Sequence, residues 1–143
     1  MLIGSARLKR EEQLCRDQAH AALQFVGLDR LAGRLAGDIS QEERKRVAFA
    51  LALSTGPQLV LLDEPAGGVN PEETAGLADL IRKMAASGIT VCLIEHKMNM
   101  IMSLADRIMV LNYGEKIAEG RPAEIRANPA VIDAYLGSEH AGI

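Results

Sequence analysis

Four consecutive apolar residues, Leu59-Val60-Leu61-Leu62, run straight into two carboxylates, Asp63-Glu64, and stop at Pro65. A run without polar alternation predicts a strand of a parallel sheet covered on both faces. A second run, Ile89-Thr90-Val91-Cys92-Leu93-Ile94, closes on Glu95-His96, and the stretch between, Pro71 to Ser87, carries helical spacing. Strand, helix and strand in that order are long enough for a right-handed βαβ unit. Parallel strands end on one edge of their sheet, where open α/β proteins bind ligands. His96 is therefore expected beside Asp63 and Glu64.

The same patterning extends in both directions. Leu8 to Val26 has apolar positions at Leu14, Ala19, Ala22, Leu23 and Val26 at helical spacing, with Gly27 as its stop. Leu28 to Leu35 predicts a short helix closed by Gly37. Gln41 to Ser54 predicts a longer one, broken by Thr55-Gly56-Pro57. Downstream, a helix at Lys97 to Leu104 leads to a strand at Arg107 to Asn112, a turn at Tyr113-Gly114-Glu115 and a strand at Lys116 to Glu119. Small helices at Pro122 to Ala127 and Pro129 to Leu136 finish the chain. Met98 and Met102 share a helix face and read as core filling, while Met100 points elsewhere. The pattern divides the chain into a helical piece, 1–54, and an α/β core, 55–143.

Paired acids at a strand end carry chemistry when they have partners, because charge is costly to bury alone. In that reading Asp63 holds a magnesium ion, directly or through water, and Glu64 orients or deprotonates the water that attacks a terminal phosphate. The competing reading is a solvated strand end at a turn. His96 would hydrogen-bond the γ-phosphate and the attacking water; its bland alternative is a helix cap or surface residue. Ser40-Gln41-Glu42-Glu43 reads as a capping box at the start of the Gln41 helix. Asn70 before Pro71 reads as the cap of the next helix.

Asp63-Glu64-Pro65, then Ala66-Gly67-Gly68-Val69-Asn70-Pro71, then Leu93-Ile94-Glu95-His96 resemble the Walker B motif, D-loop and switch histidine of ATP-binding-cassette (ABC) ATPases. The stretch from Ala105 to Gly120 resembles the closing hairpin of that family. The segments from Arg121 to Pro129 and from Val131 to Gly137 resemble the tail of its branched-chain amino-acid importer subgroup. The resemblance covers nearly the whole chain. It implies an α/β, partial P-loop NTPase-like domain, with a mostly parallel sheet core, an N-terminal helical piece and short C-terminal strands and helices. It also implies an ATP-binding subunit that uses ATP and Mg2+ and dimerises with a second ATP-binding subunit, identical or not. Such a subunit docks on membrane permease subunits at the cytoplasmic face of the plasma membrane. Asn70 would lie at the dimer interface. Ile39-Ser40-Gln41-Glu42-Glu43 stands where the family's Leu-Ser-Gly-Gly-Gln signature is commonest, so Ser40 would reach the γ-phosphate held by the other subunit. Both signature glycines are replaced, and Glu42 and Glu43 would repel a nearby phosphate.

Gly-x-x-x-x-Gly-Lys-Ser/Thr, whose amides and lysine cradle phosphates, does not occur in the 143 residues. The resemblance therefore implies the C-terminal part of a nucleotide-binding subunit, starting in its helical subdomain after the Q-loop and inactive by itself. A non-catalytic remnant acting as an interaction or regulatory module is the alternative. An apolar fraction of 48% with 3% aromatics predicts an aliphatic core. A net charge of −3 gives no basic footprint for nucleic acid, and Arg44-Lys45-Arg46 reads as the exposed face of its helix, balanced by Glu42 and Glu43. Cys15 and Cys92 have no zinc or disulfide spacing. No apolar run approaches the roughly 18 residues of a spanning helix, and the start lacks a signal-peptide core, so no direct membrane insertion is expected.

Overall fold

Two capping boxes set the starts of the central helices. The computed structural model describes the backbone of residues 6–140 and side chains through Tyr135. Helix α1 spans Ala6–Phe25 and α2 spans Gln41–Leu53. At the start of α2, Ser40 Oγ accepts from the Glu43 N–H at 3.1 Å and Glu43 Oε2 accepts from the Ser40 N–H at 2.8 Å. Strand β1, Leu59–Asp63, is followed by α3, Pro71–Ala86, and β2, Thr90–Ile94. Asn70 and Glu73 repeat the reciprocal cap at α3, at 2.9 and 3.0 Å, with Pro71 in the first turn.

By packing, the chain divides into Met1–Glu95 and His96–Ile143. In the first unit β1 and β2 pair in parallel from Leu59↔Thr90 to Asp63↔Ile94, as the βαβ pattern requires. Its core is built from Val26, Leu28, Phe49, Ala50, Val60 and the α3 side chains Leu77, Leu80, Ile81 and Met84. Arg46 ties α2 to its surroundings, pairing with Glu42 and donating to the Val26 carbonyl oxygen at 3.2 Å. Lys83 closes the end of α1, donating to the Phe25 carbonyl oxygen at 2.7 Å.

Three expectations for this unit are corrected. The strand run is not covered on both faces: Val60 is buried, but Leu59 and Leu61 are 54% and 72% exposed and Ile94 is 62% exposed. Within this unit the sheet has two strands, with α3 packed against β2, and Cys92 is exposed on it. Leu28 to Leu35 forms only a single 3-10 turn, Asp29–Leu31, with another at Ala36–Asp38. Its buried Leu28 anchors the segment, but Gly33 and the exposed Leu35 leave too little apolar contact to support a nucleated helix. Leu14 is exposed, and along α1 only the C-terminal end, at Ala22, is buried.

In the second unit α4, Met98–Leu104, precedes the antiparallel pair β3, Ile108–Asn112, and β4, Glu115–Gly120. Tyr113 and Gly114 both have positive φ, 48° and 84°, the signature of a two-residue hairpin turn whose twist matches the strands. Helices α5, Pro122–Arg126, and α6, Pro129–His140, follow. Ile108, Ala118, Ile125 and Val131 form the core, with Met98, Met102 and Ile101 packed on it. The core-filling role expected of Met98 and Met102 is thus what the structure shows.

Candidate functional site

The parallel register puts the C-terminal ends of β1 and β2 on the same edge. Asp63 and Glu64 leave β1 there with exposed side chains, and the Glu64 N–H continues the ladder by donating to the Ile94 carbonyl oxygen at 2.9 Å. Glu64 has φ +44°, in the left-handed region that a glutamate enters only at a cost of roughly 1–3 kcal/mol. The chain is held in that turn by the Gly67 N–H, which donates to the Glu64 carbonyl oxygen at 3.0 Å. Strain confined to the residue that ends the acidic strand is a feature of sites where a side chain must be aimed rather than packed.

The loop after Glu64 is built into the unit from two directions. Lys45 of α2 donates to the Pro65 carbonyl oxygen at 2.6 Å, and the Ala66 N–H donates to Glu95 Oε1 at 2.9 Å. Ala66 is wholly buried. Gly68 has φ +72°, and a Cβ there would lie 2.9 Å from Gln41 Nε2, so the loop also runs close to the start of α2. Lys45 and Arg46, expected on an exposed helix face, are instead half-buried and engaged. In the sequence Glu95 stands out only as part of a motif. Nothing in the local pattern marks the partners of Lys45 and Glu95, because they are backbone groups 20 and 29 residues away.

Ser40 and Asn70 are found at the caps, their side-chain oxygens accepting from Glu43 and Glu73. Ser40 precedes Gln41, the residue of α2 that approaches Gly68 of the loop. His96 is exposed and is the first residue of the second unit, next in the chain to Glu95.

Two exposed carboxylates at a rim, with no group of three or more His, Cys, Asp or Glu residues able to hold a metal among the described residues, cannot form an all-protein cage. They suit Mg2+, which takes one or two carboxylates and fills its shell with water and substrate phosphates.

Comparison with known proteins bears on this edge. The profile of the family described as "ABC transporter" matches residues 5–67, which contain α2, β1 and the acidic pair, and that described as "Branched-chain amino acid ATP-binding cassette transporter" matches residues 115–141. The chain belongs to the ATP-binding-cassette family. It is 41% identical over 95% of its length to the high-affinity branched-chain amino acid transport ATP-binding protein BraF of Pseudomonas aeruginosa. It is 39% identical, over the same share, to LivG of Escherichia coli. The chain spans about half the length of the curated relatives it matches, 54% of each of these two. Among solved structures, the ADP conformation of MJ1267, an ATP-binding cassette of an ABC transporter, superimposes with a TM-score of 0.79 at 31% identity. That match covers 86% of this chain and 50% of the other. The α/β, partial P-loop NTPase-like fold of an ABC ATPase is therefore the fold of this chain, and no helix among the described residues is long and apolar enough to cross a membrane.

Proposed function

We propose that this chain is the Walker B-bearing part of the ATP-hydrolysing subunit of an ABC importer for branched-chain amino acids. The observation that supports the reading is the parallel β1–β2 register, which ends at Asp63↔Ile94 with the acidic pair at the C-terminal edge of the strands, the edge at which open α/β sheets generally bind ligands. Asp63 is the residue to hold magnesium, directly or through water. Magnesium, when bound with ATP, supplies neutralisation of the charge that develops on the transferred phosphoryl group. Glu64, aimed by its strained turn, accepts the proton of the attacking water or orients it. His96 is given its task, a hydrogen bond to the γ-phosphate and that water, by its match to the switch histidine and its position after β2 in the chain.

Ser40 and Asn70 belong to this reading through the dimer: Ser40 toward a phosphate held by a second ATP-binding subunit, Asn70 at the interface between the two. Ser40 Oγ can donate to a phosphate while its lone pair caps α2. Membrane permease subunits are the proposed partners on the cytoplasmic face, and the amino acid is recognised by them rather than here. The division of the chain into a helical piece, 1–54, and an α/β core, 55–143, is part of the same proposal.

The test is Mg-ATP turnover by the chain joined to a phosphate-loop half of the family. Asp63→Asn is expected to lower turnover about a hundredfold or more, the scale of losing one electrostatic stabiliser, and to raise the magnesium concentration needed for half-maximal rate. Unchanged magnesium dependence in that variant would remove Asp63 from the metal.

A further inference from the structure

The peptide group joining Pro65 to Ala66 is gripped at both ends by side chains of opposite charge. Lys45 Nζ donates to its oxygen at 2.6 Å, and its N–H donates to Glu95 Oε1 at 2.9 Å. A cation thus faces the negative end of one peptide dipole and an anion the positive end. Hydrogen bonds with an ionised partner are about twice as strong as neutral ones, and both contacts are partly buried. Lys45 comes from α2, and Glu95 is the first residue beyond β2.

The gripped group lies one residue past Glu64, and the residue between is proline, whose ring fixes φ. Only ψ of Pro65 is then left between the 65–66 and 64–65 peptides, and the 64–65 peptide is itself held by the Gly67 N–H, which donates to the Glu64 carbonyl oxygen at 3.0 Å. On its other side Glu64 is held through its own N–H by the Ile94 carbonyl oxygen. The two peptide groups flanking Glu64 are thus both anchored, and the left-handed φ of +44° between them has no free end through which to relax.

We propose that Lys45 and Glu95 are positioning residues that aim Glu64 by clamping this single peptide from α2 and from the end of β2. The inference deepens the proposed function and rests on it for the role of Glu64. Its consequence is coupling: a shift of α2, which starts at Ser40, reaches the water-activating carboxylate through Lys45, and a shift of the segment leading to His96 reaches it through Glu95.

The test uses Glu95→Ala, Glu95→Gln, Lys45→Met and the double Lys45→Met/Glu95→Ala, in the 143-residue chain and in the same chain joined to a phosphate-loop half. In the 143-residue chain, amide exchange at Ala66 is expected to quicken about ten- to hundredfold in Glu95→Ala, the scale of a hydrogen bond to an ionised group. It should also quicken in Lys45→Met, although Lys45 does not touch that N–H, and the double variant should show less than the product of the single effects. Glu95→Gln keeps an acceptor oxygen and should retain most of the protection. In the joined protein, Glu95→Ala and Lys45→Met should lower kcat while KM for ATP stays within about twofold, with kcat recovered in Glu95→Gln.

Ala66 exchange that ignores Lys45→Met, or factors that multiply independently, overturns the clamp. KM and kcat worsening together in step with a fall in melting temperature, without recovery in Glu95→Gln, overturns the positioning role in favour of simple loop support. Coupled exchange effects with no ATP turnover in the unsubstituted joined protein support the clamp and overturn the ATPase reading.

Discussion

Ser40 and Asn70 each spend a side-chain oxygen on a helix start, and each receives a glutamate in return. Replacing either by alanine removes the acceptor of one N–H in the first turn, that of Glu43 or Glu73, while the glutamate can still accept from the backbone N–H of the capping position. Ser40→Ala and Asn70→Ala are each expected to lower stability by about 1 kcal/mol. The costs should add, because the two caps belong to different helices and share no hydrogen bond. Urea unfolding of the single and double variants measures both. These residues were legible in sequence because a capping box is complete within four positions. The acidic pair was legible because a strand that ends in carboxylates is unusual. Lys45 and Glu95 were not: a lysine beside two arginines reads as surface charge until the fold brings it against a distant carbonyl.

Among the elements, the βαβ unit was legible because its apolar runs and the helical period between them leave few alternatives. What the pattern did not reveal is the exposure of Leu59, Leu61 and Ile94. A run that is apolar on both sides records that both sides are meant to be covered, but not which polypeptide does the covering. The β3–β4 hairpin was placed by its Tyr-Gly turn, yet its charge network depended on register. Glu119 receives hydrogen bonds from Lys116 at 2.9 Å and Arg107 at 2.8 Å. Chiefly Lys116 and then Arg107 hold its carboxyl below its ordinary value of 4.5. A lowered folded pKa means that the contribution is in place above the unfolded value and is lost as pH falls through the folded one. Lys116→Met is therefore expected to move the Glu119 carboxyl titration, followed by 13C NMR, up toward the ordinary carboxylate range; a titration unmoved by the substitution contradicts the assignment.

At the scale of the molecule, the chain folds as two units, each around its own aliphatic core, and spans about half of its curated relatives. The acidic edge is present without a sequence for the phosphate cradle, and binding energy for a nucleotide resides largely in that cradle and its helix N-terminus. The 143 residues alone are expected to bind Mg-ATP no more tightly than about millimolar, a range in which less than roughly 5 kcal/mol of binding free energy is available. Isothermal titration checks this, and saturable micromolar binding would contradict it. The family could be read from local motifs, whereas the exposure of Leu59, Leu61 and Ile94 could not, because burial depends on contacts between segments far apart in a fold.

The most direct measurement is single-turnover ATP hydrolysis by the chain joined to a phosphate-loop half, comparing Glu64 with Glu64→Gln. Glu64 as the residue that activates water predicts a loss of at least about a hundredfold in rate, with ATP still bound and retained. Hydrolysis at an unchanged rate in Glu64→Gln would contradict the assignment of this edge as the catalytic one.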